Sequence, residues 1–364
     1  MEGHTSGVTP VGPRHARRPS LTSIGGPLPR RRFFLTLAAI TLGALALRVA
    51  YVLAYTRYQN GKLYDSFWYY ATTIGLHSGQ FFRAPFSDAP SAAHPPMTSL
   101  LLAGGTYVVG LHGGTTSSLL VMAVLGAAVV ACVGLLGRSV AGPWVGITAA
   151  GLAAIAPNFW MPSGILMSET PAMLGMALIL LAVVHVIRTP TLSAAVLLGL
   201  ACGFEALVRA ELILFVPALL VPAMLVIRQV SLRRRVLLLG VGVLATMLVL
   251  APWVGRNLAS FHDATYISTG DGLALLGSNC PQTYSGPELG LWSARCASSL
   301  GGGGDESVQS SRDQAAAFKF IDHHLSRLPV VMLARVAREW DLYEPAQMAQ
   351  AESNEGRPYV ASLA

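Results

Sequence analysis

The sequence predicts an all-α polytopic membrane protein, in which a bundle of transmembrane helices carries an extracytoplasmic first loop and a small extracytoplasmic C-terminal segment. Composition is the first observation, since 53% of the 364 residues are hydrophobic and 12% are charged, whereas about a quarter of a soluble domain is charged. The mean hydropathy is positive, at +0.53. The third observation is a series of apolar runs that approach the roughly twenty residues needed to cross a bilayer.

Residues 1–32 are predicted to be a disordered, basic cytoplasmic tail. They combine Pro, Gly, Ser and Arg without apolar periodicity, which is typical of disorder, and positive charge before a first span marks the cytoplasmic side. The apolar stretch 33–55 is too long for the core of a signal peptide and is predicted to be an uncleaved span. The net charge of +7 therefore indicates membrane orientation, and no nucleic-acid partner is expected. The arginines of the tail are Arg14, Arg17, Arg18, Arg30, Arg31 and Arg32.

Residues 33–254 are predicted to form the transmembrane bundle, with eight candidate spans. Eight crossings would return the C-terminal residues to the cytoplasmic side, whereas their polar, turn-rich character and their cysteine pair indicate the outside. One candidate is therefore expected to be partial or re-entrant. Met97–Leu111 and Pro143–Ala156 are the shortest, and the sequence does not decide between them. The candidates are Phe33–Tyr55, Met97–Leu111, Thr116–Leu136, Pro143–Ala156, Ser168–Ile187, Leu192–Val208, Leu212–Ile227 and Val236–Trp253.

Residues 255–364, named here the outer segment, are predicted to be extracytoplasmic and to contain helices that lie at the membrane interface. Cys280 and Cys296 belong to this polar segment. On an oxidising face they are expected to form a disulfide, and two free surface thiols are the alternative. Cys132 and Cys202 lie within apolar runs, where an isolated cysteine usually packs as a small apolar residue.

The first loop, residues 56–96, holds an acid and an imidazole outside the membrane. Asp65 stands in an aromatic stretch, and His94 precedes two prolines. Each has a structural explanation, because Asp65 could be a helix N-cap and the prolines could begin a helix with His94 at the interface. Their presence together with the few charges of the bundle favours a catalytic site at the mouth of the bundle.

Further charged residues interrupt the apolar runs or end them. Glu169 opens a helix, where an acid also favours the helix dipole. Glu205 and Arg209 are four apart, a spacing that allows an ion pair on one helix face, and Glu205 is expected to act mainly as a partner. For Arg209 and Glu211, structural and functional roles are equal alternatives. Arg256, which ends the last span, could bind a phosphate or lie among lipid headgroups.

The order of these motifs resembles the bacterial GT-C type glycosyltransferases, nearest to the group of protein O-mannosyltransferases and aminoarabinose transferases. The resemblance covers roughly residues 33–345, and the stretch 267–292 is similar to the outer segment of actinobacterial members. In order, the motifs are the basic tail with one span, the aromatic loop with Asp65, His94-Pro95-Pro96, Ser168-Glu169, Gly199-Leu200-Ala201 with Leu207-Val208-Arg209-Ala210-Glu211, and Pro252-Trp253 with Arg256-Asn257.

The resemblance implies a hexosyl or pentosyl transferase in the plasma membrane. It would move a sugar from a polyprenyl-phosphate donor to a protein, glycan or lipid acceptor on the extracytoplasmic face. Asp65 would be the general base on the acceptor hydroxyl, a task that a nearby carboxylate can perform. His94 takes the position of a basic residue near the donor phosphate. Arg209 and Arg256 are further candidates, because cations stabilise the charge on a departing phosphate.

Glu169, beside the acceptor or the donor sugar, and Glu211 complete the implied substrate site. No cofactor or metal is required when an activated phosphate leaves, and a divalent cation near Asp65 and Glu169 is an allowed addition. Family members usually continue with further spans, so a truncated product, a fragment or dependence on a partner is expected. Two other functions are a transporter or flippase of a lipid-linked or anionic substrate and a catalytically silent membrane scaffold. A transporter predicts an inverted repeat, and none is evident.

Overall fold

The computed structural model describes residues 28–58, 64–108 and 114–354, and these residues are predominantly helical. Within these ranges an isolated β-bridge between Arg83 and Pro90 is the only extended pairing, which confirms the all-α prediction. Residues 1–27 of the predicted tail lie outside the described residues. The predicted boundaries of tail, bundle and outer segment stay predictions.

The described residues contain sixteen α-helices, labelled here in chain order. They are α1 (Arg30–Ala54), α2 (Tyr64–His77), α3 (Met97–Val108), α4 (Thr115–Ala141), α5 (Pro143–Ile155), α6 (Pro157–Trp160), α7 (Glu169–Arg188), α8 (Leu192–Val208), α9 (Val221–Val226), α10 (Leu232–Ser260), α11 (Gly270–Ser278), α12 (Pro281–Tyr284), α13 (Ala294–Ala297), α14 (Glu306–His323), α15 (Leu328–Glu339) and α16 (Pro345–Asn354).

Four of these helices, α1, α4, α7 and α10, are long and apolar enough to cross a bilayer. Each has at least twenty residues, and an α-helix of that length covers about 30 Å, the thickness of the hydrocarbon core. The prediction of a multi-pass membrane protein is therefore confirmed. Its orientation in the membrane stays a prediction.

The pair α5 and α6 departs from a straight span. With the 3₁₀ turn Met161–Gly164 that follows α6, the two parts bend by 78° at Ala156. Ala156 has an extended backbone with ψ at 126°, because the ring of Pro157 disfavours a helical conformation in the residue before it. The arrangement is a broken span or a re-entrant loop, and it fits one of the two alternatives, in which Pro143–Ala156 rather than Met97–Leu111 crosses only in part.

The remaining apolar runs form shorter helices, namely α3, α8 and an interrupted stretch at Ala210–Val226. This stretch consists of a 3₁₀ helix, Ala210–Leu214, a π-helical turn, Val216–Leu220, and α9. Pro217 and Pro222 lie within it, and each removes a backbone donor that a continuous α-helix would use. Eight straight crossings are therefore not formed, because prolines interrupt two of the predicted spans and two others are short.

The bundle is built around α4 and α8. Helix α4 packs against α1, α5 and α7, and α8 packs against α7 and α10. The α8–α10 contact depends on glycine, since a Cβ on Gly199 would lie 2.1 Å from the carbonyl oxygen of Gly242. Thr246 of α10 donates a hydrogen bond to the Gly199 carbonyl at 3.0 Å. Small residues and interhelical hydrogen bonds of this kind are the usual means of packing helices in membranes.

Beyond the end of α10 at Ser260, the described residues of the outer segment fold into α11–α16. Helix α11 packs against α14 and α13, and Cys280 and Cys296 form the predicted disulfide. The disulfide closes a loop of 16 positions that contains α12. This loop therefore belongs to the folded part of the outer segment.

Replacing both disulfide cysteines with serine is expected to lower the free energy of unfolding by about 3 kcal/mol, because a closed loop of this length removes entropy from the unfolded chain. The thermal unfolding midpoint of the detergent-solubilised protein measures the loss. Cys132→Ser, which removes an unbonded thiol of α4, is the control. Equal midpoints for the double variant and the control would contradict the prediction.

Candidate active site

Helix α2 supplies the acid of the first loop. Asp65 lies in the first turn of α2, where the positive end of the helix dipole favours a carboxylate. Its side chain is 51% exposed, so it can meet a substrate from outside. Tyr69, one turn further along α2, is buried. Residues four apart lie on one face of a helix, and this face of α2 is directed towards the site.

His94 reaches this face of α2 from the other end of the first loop. Its Nε2 lies 3.8 Å from Asp65 Oδ1, and 27% of its side chain is exposed. Its ring packs on that of Tyr69, with centroids 4.8 Å apart. Burial lowers the pKa of His94, and the Asp65 carboxylate opposes that effect. The structure thus brings together the acid and the imidazole that the sequence predicted as a pair.

A second cluster of charged side chains lies where α7 begins and α8 ends. Arg209 Nε donates a hydrogen bond to Glu211 Oε1 at 2.7 Å, and its Nη1 lies 3.8 Å from Glu169 Oε1. Nη1 also lies 3.5 Å from the Ser168 hydroxyl oxygen. Between a quarter and just over a half of each charged side chain is exposed, at 26% for Glu169, 41% for Arg209 and 56% for Glu211. The guanidinium is therefore held by acids on two sides and still faces solvent.

The expected ion pair between Glu205 and Arg209 is not formed, and this prediction was wrong. Helix α8 ends at Val208, and Arg209 has an extended backbone with φ −143° and ψ 125°. Its side chain therefore leaves the helix face that Glu205 occupies and meets Glu169 and Glu211. Glu205 is fully buried, and neither carboxylate oxygen has a hydrogen-bond partner among the described residues.

Tyr69 connects the two groups, although the sequence did not single it out. The Tyr69 hydroxyl lies close to the Ser168 side chain and in the field of Asp65, Glu169 and Arg209. Burial raises the pKa of this hydroxyl, so it stays protonated. The spacing of four between Asp65 and Tyr69 was the signal that could have identified it.

Arg256 lies behind the first loop and holds it in place. Its Nη2 donates to the Phe82 carbonyl at 2.7 Å and its Nη1 to the Ser91 carbonyl at 3.0 Å. Nη1 also donates to the Asn257 side chain at 2.9 Å. These contacts give Arg256 a role in shaping the loop that the sequence did not suggest. The predicted contact with a phosphate stays a prediction.

A cleft of about 410 Å³ adjoins α2 on a different face from Asp65 and Tyr69. Phe67, Tyr70 and Arg83 are among its lining residues. Within the described ranges, no group of three His, Cys, Asp or Glu side chains is arranged to hold a metal ion.

The family model described as dolichyl-phosphate-mannose-protein mannosyltransferase matches residues 93–255. The match contains His94, Glu169, Arg209 and Glu211 and begins after Asp65. It confirms the predicted resemblance to GT-C type glycosyltransferases over these residues. The actinobacterial subgroup stays a prediction. Among curated proteins, none matches the chain significantly.

Among solved structures, the chain aligns with the archaeal oligosaccharyltransferase AglB from Archaeoglobus fulgidus, solved in complex with an inhibitory peptide and a dolichol-phosphate. The TM-score is 0.45 and the sequence identity 14%. The alignment covers 85% of this chain and 35% of AglB, so the chain spans about a third of the length of that protein.

Proposed function

We propose that this chain is an integral-membrane glycosyltransferase that moves a sugar from a polyprenyl-phosphate donor to an acceptor on the extracytoplasmic face. The observation that carries the proposal is the approach of His94 to Asp65, at 3.8 Å, beside an arginine bound by two acids. A carboxylate, an imidazole that can take up a proton and a guanidinium are groups that such a transfer can use. The family match supports the proposal, because its description names a dolichyl-phosphate-mannose donor.

In the proposed reaction, an acceptor hydroxyl attacks the anomeric carbon of the donor sugar. As the new carbon–oxygen bond forms, the bond from that carbon to the phosphate oxygen breaks, and its electron pair leaves with the phosphate. The hydroxyl proton passes to Asp65, which acts as general base. His94 and Arg209 face the charge that develops on the phosphate and stabilise it.

The remaining residues of the site hold these groups in place. Glu169 and Glu211 fix the guanidinium of Arg209 through the contacts described above, and Glu169 would face the acceptor or the donor sugar. The buried, protonated Tyr69 hydroxyl lies beside Ser168 and would help to hold the two groups together. The reaction needs no cofactor or metal, since the leaving group is an activated phosphate. A divalent cation between Asp65 and Glu169 would add positive charge beside the departing phosphate.

The disulfide supports the proposed sidedness. Disulfides persist in oxidising compartments and are rare in the cytosol, so Cys280–Cys296 favours an extracytoplasmic outer segment. The arginines before α1 and in its first turn favour a cytoplasmic N-terminus. We therefore place the site at the outer face of the plasma membrane, where protein, glycan and lipid acceptors are all available. A mannosyl donor is the first to test, because the description of the family names mannose.

The function is tested by supplying radiolabelled polyprenyl-phosphate sugars, the mannosyl donor first, to membranes that contain or lack this chain. Label that moves to a protein, glycan or lipid fraction only when the chain is present is the expected result. Absence of transfer from every hexosyl and pentosyl donor, with protein that remains folded in detergent, would overturn the proposal.

The interruptions of the helices are the observation that favours the alternative function, a transporter of a lipid-linked or anionic substrate. The bend at Ala156 and the broken stretch Ala210–Val226 are features that transporters also use near their binding sites. Uptake of labelled substrate into sealed vesicles, without formation of a glycosylated product, would identify a transporter. Neither transfer nor uptake would favour a membrane scaffold.

The proposed phosphate site also predicts a pH dependence of donor binding. Burial lowers the pKa of His94, so the free ring is mainly neutral at pH 8 and gains its proton as the pH falls. A sugar phosphodiester keeps a single negative charge over this range and binds the protonated ring better. Donor affinity is therefore expected to rise from pH 8 to pH 5.5, by up to about tenfold for one added charge contact.

Equilibrium binding of a non-reactive polyprenyl-phosphate sugar analogue in detergent measures this dependence. His94→Gln, which keeps a polar side chain without the titration, is expected to bind with an affinity that changes little with pH. The same rise in affinity in His94→Gln would exclude His94 as its source.

A further inference from the structure

The turn before His94 is joined to the outer segment by backbone contacts. The carbonyl of Ala92 accepts a hydrogen bond from the Thr269 amide at 2.8 Å. The carbonyl of Ala93 accepts one from the Ser268 hydroxyl at 2.9 Å. Gly270 completes this close approach, since a Cβ there would lie 2.6 Å from the Ala93 carbonyl oxygen. The position of this turn therefore depends on residues about 175 positions later in the chain.

Glu306 fixes both sides of this junction through one carboxylate oxygen. Its Oε2 accepts a hydrogen bond from the Ala92 amide at 2.9 Å and another from the Thr269 hydroxyl at 3.0 Å. Glu306 begins α14, which Asp305 already caps by accepting hydrogen bonds from Ser307 and Val308. Its side chain is therefore free to reach back to the loop. Hydrogen bonds to a carboxylate are roughly twice as strong as those between neutral groups.

We propose that Glu306 is a positioning residue for His94, through which the outer segment sets the place of the imidazole against Asp65. This inference rests on the proposed transferase function. His94 follows Ala92 by two residues and precedes Pro95, whose ring restricts the backbone of His94 to extended conformations. With Ala92 and Ala93 held on one side and Pro95 and Pro96 on the other, the backbone at His94 has little freedom left.

Glu306 also acts on His94 through its charge. Burial lowers the pKa of His94, as does the positive charge of Arg209, whereas the carboxylates of Asp65, Glu306 and Glu169 oppose this. These charged groups reach His94 from α2, from the start of α7, from the end of α8 and from α14. Removing the charge of Glu306 is therefore expected to move the protonation of His94 to lower pH.

The first test combines Glu306 and His94 variants in the transfer assay. Glu306→Ala is expected to lower the transfer rate by about tenfold to a hundredfold, a range typical of reacting groups displaced by an ångström or less. In a His94→Gln background the same change is expected to lower the transfer rate by at most about twofold, because the effects of substitutions at two residues that act together are not additive. Asp322→Asn, at an exposed acid on the same helix, is the control and should leave transfer unchanged. An equal loss from Glu306→Ala in both backgrounds would overturn the proposal.

The second test does not depend on transfer. A cysteine introduced by H94C is labelled with a membrane-impermeant maleimide, and the labelling rate is compared with and without E306A. Release of the turn is expected to raise the rate about tenfold, whereas D322N should not change it. Equal rates would overturn the positioning role even if the chain is an active transferase. A raised rate in a protein that transfers no sugar would support the positioning role and count against the proposed function alone.

A pH profile separates the effect of the Glu306 charge on His94 from a general loss of structure. In Glu306→Gln, the rise in donor-analogue affinity on acidification is expected to begin at lower pH than in the wild type. A merely unstable variant would lose affinity at every pH without this displacement. An unshifted profile together with an unchanged labelling rate would remove Glu306 from the site.

Discussion

Asp65→Asn is expected to reduce sugar transfer by about two to four orders of magnitude, the contribution typical of a positioned general base. The amide keeps the shape of the carboxylate and cannot accept the proton of the attacking hydroxyl. Because Asp65 is half exposed and accepts no buried hydrogen bond from another described residue, the variant should remain folded. Donor binding should change little, since the donor phosphate is assigned to cationic side chains. The measurement is the initial rate of label transfer from the polyprenyl-phosphate sugar at saturating donor.

Asp88→Asn is the matched control for Asp65. Asp88 is a second acid of the first loop and is exposed, but it lies at the β-bridged turn rather than on the site face of α2. Its change should leave the rate within about twofold of the wild type. Equal rates for Asp65→Asn and the wild type would remove Asp65 from the mechanism and leave the transferase without its base.

Arg209→Ala is expected to produce the second large effect, a loss of about a hundredfold to a thousandfold in transfer. Removing one group that stabilises developing negative charge costs this much in other enzymes. The variant also leaves Glu169 and Glu211 without the cation that lies between them, so donor binding should weaken as well as the rate. Arg209→Lys should recover only part of the activity, because an ammonium cannot reproduce the forked contacts of the guanidinium.

Arg233→Ala, an exposed arginine at the start of α10, is the control for loss of a positive charge. The comparison uses both the apparent KM for the donor and kcat, with folding checked by thermal unfolding in detergent. If Arg209→Ala and Arg233→Ala transfer sugar at the same rate, the guanidinium serves only to hold α7 against the end of α8.

The helical bundle could be predicted well because membrane helices can be identified from composition alone. Runs of apolar residues with almost no charge allow few other structures in a bilayer, and α1, α4, α7 and α10 appear where those runs are. Residues Leu212–Ile227 were predicted as a single span, because hydropathy does not register whether each backbone amide can donate a hydrogen bond. Pro217 and Pro222 determine its interruption, and their effect depends on how neighbouring helices satisfy the freed carbonyls.

The candidate site was predictable where its members are charges in apolar surroundings. Asp65, His94, Glu169 and Arg209 were identified in this way, and the structure brings them into two adjoining groups. The pairing of Arg209 was not predictable, because the end of α8 at Val208 turns its side chain away from the expected partner. Glu306 gave no signal at all, since it lies in a polar segment 214 positions from the amide that it binds.

The junction between Ala92 and Thr269 has a consequence for biosynthesis. Asp65 and His94 are made early during synthesis, but the contacts that fix His94 require residues up to Glu306, which are made much later. Since domains form as their residues become available, the imidazole gains its place only after the outer segment has folded on the bundle. On the proposed function, a nascent chain would carry Asp65 long before it could carry the complete site, and acceptors that meet an unfinished chain would remain unmodified.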